Sequence, residues 1–219
     1  MSLTIRADRQ QPALVDGEAL PWSPSPEPGV ERRMLERSGD EIAIATSIVR
    51  YGAGVRFPSH VHELGEEFFV LEGVFSDHQG DYPRGTYVRN PPGSAHSPHS
   101  NTGCVILVKL RQMQEDEHDA VRVFPGDRRW QRRGEGSECA PLYRNDRIDV
   151  SLLRLEAGAT WPEREAPRGE ELFVIEGALE LLGSAIEMTR WTWRRDASYL
   201  QPGLRSARGA LLWMKRGHL

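Results

Sequence analysis

GVRFPSHVHELGEEFFVLEG, Gly54 to Gly73, and GTYVRNPPGSAH, Gly85 to His96, are the two phrases on which the reading of this chain turns. His60 and His62 are two apart, so on an extended strand both point to one face, and Glu66, Phe68 and Val70 keep that parity. That face is expected to be the inside of a barrel. Pro91, Pro92 and Gly93 turn the chain before His96, which then approaches from a neighbouring strand. Three imidazoles and one carboxylate meeting at a point are the donors of a transition-metal site. A single histidine on an apolar face is more often a hydrogen-bonded core residue. Four such groups buried without a metal would leave a carboxylate uncompensated, which cores avoid. His78, His99 and His118 lack this company, and Glu67, of opposite parity, is expected to face away.

The spacing G-x5-H-x-H-x3-E-x6-G, followed by G-x5-P-x-G-x2-H, resembles the two signature motifs of the cupin superfamily. Within it, EEFFVLEGVFSD and RNPPGSAH are most similar to the ChrR-like cupins, the domain found in certain anti-sigma factors that bind extracytoplasmic-function sigma factors. The resemblance implies an all-β fold built from jelly-roll barrels. It also implies that His60, His62, Glu66 and His96 are the metal ligands, since each occupies the family's ligand position.

The flanking chain fits a globular protein. Its 219 residues are 38% hydrophobic and 27% charged, and a formal net charge of -4 gives no general pull towards nucleic acid or anionic membrane. No apolar run reaches the length of a transmembrane helix and the opening MSLTIRADRQQ lacks the core of a signal peptide, so a cytoplasmic location is expected. Cys104 and Cys139 stand outside any metal or disulfide spacing and read as reduced thiols. Residues 1–20 read as an arm, 21–113 as a first cupin domain, 114–121 as a polar linker and 122–219 as a second cupin domain. The Pro-rich PWSPSPEPG, Pro21 to Gly29, suggests an extended segment along a sheet edge, with Trp22 as its anchor.

The second domain follows from an internal repeat. At an offset of 104, SLLRLEAG (Ser151 to Gly158) falls on SIVRYGAG (Ser47 to Gly54), and GEELFVIEG (Gly169 to Gly177) falls on GEEFFVLEG (Gly65 to Gly73). Near the end the offset becomes 106. Arg164, Ala166 and Pro202 then stand where His60, His62 and His96 stood, and only Glu170 survives, for Glu66. The second barrel is therefore expected to bind no equivalent metal. Trp130, Trp161, Trp191, Trp193 and Trp213 offer bulk to fill its interior, and Arg164 has the parity to pair with Glu170. RRWQRR, Arg128 to Arg133, is flanked by acids and reads as a solvated or partner-facing edge rather than a nucleic-acid grip.

One divalent transition metal per chain is expected. Zinc comes first by resemblance, and iron, manganese, nickel, cobalt and copper suit the same donors. Two functions stand open. The resemblance implies a regulatory module associated with reactive oxygen species, with a sigma factor or other regulatory protein as partner, although the H-x3-C-x2-C motif of such anti-sigma factors does not occur in this sequence. The alternative is a small-molecule metalloenzyme such as a dioxygenase, with Tyr82, Tyr87, Arg89 and His99 as candidates to orient a ligand. Exposed sheet edges and the Pro-rich segment suit a homodimer.

Overall fold

In the computed structural model, which describes residues 2–219, the alternating β-branched segments become antiparallel strands, and no α-helix forms among the described residues. Accordingly, no helix is long and apolar enough to cross a membrane. The chain divides into two units, Met1–Ala7 with Leu20–Asp127, and Asp8–Ala19 with Arg128–Leu219.

In the first unit the main sheet runs Val30–Ser38, Ile44–Tyr51, Cys104–Leu110, Glu66–Asp77, Tyr87–Asn90, Val121–Val123. A separate two-stranded ladder pairs His60–Val61 with Ala95–His96. Phe68, Val70, Val49, Ile106 and Val108 turn inward and form the core, as their parity requires. The second unit repeats this order with Ser137–Arg144, Asp149–Leu155, Ala210–Arg216, Glu170–Leu181, Thr192–Asp196 and Ala13–Asp16. The expected pair of jelly-roll barrels is thus present.

The boundaries differ from the sequence reading. Residues 1–20 are not one arm: Thr4–Ile5 pairs with Val30–Ser38 in the first unit, while Ala13–Asp16 is the edge strand of the second. The polar segment 114–121 is not a free linker either. It lies in the first unit, where Glu117 pairs with Arg89 and Val121 begins the edge strand beside Tyr87–Asn90. Each unit therefore takes its edge strand from the segment that opens the other repeat. Backbone pairing decides such a boundary, and side-chain composition does not report it. Trp22 does act as an anchor, with the guanidinium carbons of Arg33 and Arg50 each 4.3 Å from its ring.

Both long inner strands carry the same irregularity. Glu72 pairs with Val105 but Val70 with Ile106, so Leu71 is one residue extra, and Ile175 is its counterpart between Val174 and Glu176. The bulge ends at Gly73 and Gly177, at φ 69° and 76°, where a Cβ would lie 2.1 Å from Gly103 O and 2.0 Å from Gly209 O. Only glycine fits. Gly73→Ala and Gly177→Ala should each destabilise the protein, by about 1–3 kcal/mol from the backbone conformation alone and more from the carbonyl clash. Urea unfolding measures this, and unchanged midpoints would contradict it.

Candidate metal centre

The first barrel builds its site from one ladder and one long strand. His60 lies opposite His96, and the ladder is extended by hydrogen bonds from His62 N to Ser94 O and from Gly93 N to His62 O, both 2.8 Å. The strand that the sequence suggested from His60 onward is interrupted by a turn at Glu63–Gly65, after which Glu66 opens the strand Glu66–Asp77. Inward parity survives the turn. The ligand atoms of His60, His62, Glu66 and His96 all lie within 4.8 Å of one another. His62, Glu66 and His96 are buried, and His60 is half-buried.

Hydrogen bonds fix which nitrogen of each ring points inward. Pro58 O, which can only accept, lies 3.0 Å from His60 Nδ1. Ser94 Oγ donates to Pro91 O at 2.6 Å, which leaves its oxygen to accept from His62 Nδ1 at 3.2 Å. Asp77 Oδ2 lies 3.2 Å from His96 Nδ1. All three Nδ1 atoms therefore carry hydrogen, and three Nε2 lone pairs face the centre. There His62 Nε2 is 3.2 Å from His60 Nε2, and Glu66 Oε2 is 3.6 Å from His62 Nε2 and 3.5 Å from His96 Nε2. His96 Nε2 is buried with no hydrogen-bond partner. Acceptors so crowded repel one another, and a single cation among them relieves both the repulsion and the orphaned nitrogen. The four residues thus fit a metal ion; the nitrogen and carboxylate donors alone do not select which.

Burial, the largest effect, holds the His62 imidazole below its ordinary range, with His96 and His60 adding to it and Glu66 opposing. For Asp77, burial alone would raise the carboxyl, but the combined hydrogen bonds from His96, Gln79 N and Tyr82 bring it below its ordinary value. Asp77, Ser94 and Asn90, which donates to Glu66 Oε2 at 3.0 Å, support the ligands and were not singled out in the sequence. All three stood inside quoted motifs, Asn90 and Ser94 in RNPPGSAH and Asp77 at the end of EEFFVLEGVFSD.

A cavity of about 500 Å³ reaches the cluster, and His60, His62 and Glu66 form part of its wall. The rest is mainly apolar, including Val49, Phe57, Ile106 and Val108, together with Tyr51. Tyr51 is buried in this wall. Burial, and then the Glu66 charge, push its phenol well above the usual range. The polar candidates read from sequence lie elsewhere. Tyr87 and Arg89 are on the opposite face of the sheet with Glu67, which accepts from Tyr87 Oη at 3.0 Å and lies 3.6 Å from Arg89 Nη1. Glu67 does face away, but into a buried polar network. His99 pairs in register with Arg56 and Ser76 and does not line the cavity. Tyr82 donates to Asp77 at 3.1 Å and so supports a ligand from behind.

The second barrel has lost more than ligands. Arg164 pairs in register with Gln201, so Gln201, not Pro202, stands at the His96 position; the offset is 106 on the strands before and after it but 105 at this ladder. Ala166 is fully buried where His62 would be, and Leu181 replaces Asp77. Arg164 donates through Nε to Glu170 at 2.7 Å, pairs with it again through Nη2, and donates through Nη1 to Pro202 O at 2.7 Å. The interior is filled by leucine and methionine, among them Leu153, Leu172, Leu212, Met188 and Met214. Tryptophan does not fill it. Trp161 borders this core, whereas Trp193 has the parity of Glu171 and donates to it at 2.5 Å. In RRWQRR, the strand Gln131–Gly134 is exposed and Trp130 carries the Arg154 guanidinium 3.9 Å from its ring.

Residues 10–114 match the model of the ChrR cupin-like domain. Among curated proteins, none matches the chain. Solved structures do. A candidate glyoxylate-induced protein from Pseudomonas aeruginosa aligns at TM-score 0.75 and 15% identity, over 98% of this chain and 91% of its own. A candidate dioxygenase from Nostoc punctiforme aligns at 0.74 and 16%, over 96% and 84%. Salicylate 1,2-dioxygenase from Pseudaminobacter salicylatoxidans aligns at 0.63 and 13%, over 96% and 85%. At these identities the likeness is one of fold.

Two outcomes test the two barrels. Because the folded state holds His62 neutral below an unfolded value near ~6.5, the unfolded chain binds protons first on acidification. Stability should therefore fall as pH drops below about 6.5, more steeply with metal present, since protons compete for the ligands. Melting scans between neutral and mildly acidic pH measure this, and a flat profile would oppose it. In the second barrel, Glu170→Ala should cost about 3–5 kcal/mol, because it leaves the Arg164 guanidinium, 8% exposed, without its partner.

Proposed function

With residues 10–114 a ChrR cupin-like domain, we propose that the first unit is a mononuclear metalloenzyme acting on a small, mainly apolar organic molecule. The observation that carries this reading is the cavity: about 500 Å³ of largely apolar space ends on three of the four metal-ligating residues. A metal that only holds a fold is closed off by its ligands, whereas a reacting centre keeps a side open to a ligand.

His60, His62, Glu66 and His96 would hold the ion, which supplies Lewis acidity or, if it is iron or manganese, redox chemistry. The chain's own residues do the rest. Val49, Ile106, Val108 and Phe57 take the apolar body of the ligand and exclude water. Tyr51 keeps its proton through the neutral range and so donates a hydrogen bond to a ligand oxygen rather than acting as a base. The acceptors behind each Nδ1 keep the three imidazoles in the tautomer that binds metal.

A second reading is a regulatory module that holds zinc, responds to reactive oxygen species and engages a sigma factor. The family match supports it.

Metal analysis of protein purified without added metal, paired with oxygen uptake in the presence of small dicarbonyl compounds, separates the two. On the enzyme reading, about one iron or manganese per chain with substrate-dependent uptake is expected. Zinc without turnover would overturn the enzyme reading in favour of the regulatory one.

A further inference from the structure

Arg122 lies on the strand Val121–Val123, opposite Val88, and beyond the segment 10–114 that matches the family. Its guanidinium feeds two lines of hydrogen bonds. Nη2 donates to Asn90 Oδ1 at 2.6 Å, and Asn90 Nδ2 donates to Glu66 Oε2 at 3.0 Å. Nε donates to Tyr82 Oη at 3.3 Å, Tyr82 Oη donates to Asp77 Oδ1 at 3.1 Å, and Asp77 Oδ2 accepts from His96 Nδ1 at 3.2 Å. Further bonds to Arg89 O, Val121 O and Gln79 Oε1 pin the fork in place.

The direction of these bonds gives them their effect. A guanidinium only donates, so the Asn90 carbonyl must face Arg122, and the amide's donor side is thereby turned onto Glu66. In the same way, a donor on the Tyr82 oxygen sends the phenol hydrogen to Asp77. That leaves Asp77 an acceptor for His96 Nδ1–H and aims His96 Nε2 at the centre.

The second repeat supplies an internal comparison. Leu14 takes the place of Arg122 in the ladder, Asp196 that of Asn90, Met188 that of Tyr82, Leu181 that of Asp77 and Gln201 that of His96. Where the quartet is lost, every link of this network is changed.

We propose that Arg122 is a positioning residue for the metal centre: it orients Glu66 through Asn90 and His96 through Tyr82 and Asp77. The strand that opens the second repeat thereby sets ligand geometry in the first barrel. This rests on the quartet being a metal site.

Cobalt(II) titrated into the metal-stripped full chain reports affinity and, through its visible d–d bands, ligand geometry. Arg122→Ala should weaken cobalt binding about 10–100-fold and shift the bands, and millimolar guanidinium should partly restore both. Arg122→Lys, which keeps the charge but not the fork, should fall between. Wild-type affinity and bands in Arg122→Ala would overturn the proposal. So would weakened binding that merely follows a lower melting temperature, with unshifted bands and no rescue. Should Arg122→Ala fail to fold, Arg122→Lys decides, and wild-type cobalt behaviour in it overturns the proposal. A wild-type chain that takes up no cobalt would sink the metal-centre reading itself, and this inference with it.

Discussion

An imidazole has two nitrogens, and in the first barrel one nitrogen of each ligand ring is already committed. Pro58 O, Ser94 Oγ and Asp77 Oδ2 each accept a hydrogen from Nδ1, so each Nε2 must present a lone pair to its neighbours. The rest of the site is built around keeping those lone pairs together. The ladder between His60 and His96 fixes two rings across from each other, and the turn at Glu63–Gly65 brings Glu66 under them. The core strands then hold this arrangement at one end of an apolar cavity. Left to themselves, three lone pairs and a carboxylate would separate or take up protons. Their convergence, enforced by backbone pairing, is the physical sign of a cation-binding centre.

Much of this was legible in the sequence, because spacing reports parity and parity reports the face. His60, His62, Glu66 and His96 meet, Phe68 and Val70 enter the core, and the two halves share strand order because their inner strands share a sequence pattern. What was not legible depends on register or on distance along the chain. Tyr87 and Arg89 sit close to the motif in sequence yet face the other side of the sheet with Glu67. Tyr51 lies on another strand and reaches the cavity only through the pairing of Ile44–Tyr51 with Cys104–Leu110. The shift from Pro202 to Gln201 is one residue, but one residue reverses the face of a strand. The tryptophans misled because bulk says nothing about which side of a sheet it occupies.

The duplicated chain also explains why Glu170 persists where its three partners have gone. In the first barrel Glu66 is buried with an amide donor and a place for a cation beside it. Remove the histidines and a buried carboxylate remains, which needs a positive charge or must be replaced. Arg164, standing where His60 stands, reaches the same point from the same strand position and supplies that charge with a planar, two-handed grip. Its remaining donor goes to Pro202 O, so the guanidinium leaves little unsatisfied. Around it, Leu181 and Met188 replace the polar Asp77 and Tyr82, since no imidazole there needs orienting. A fixed internal cation thus does for the second barrel what an exchangeable one would do for the first. An internal cation can be neither lost, oxidised nor opened to a ligand, so any exchangeable metal would belong to the barrel that kept its histidines.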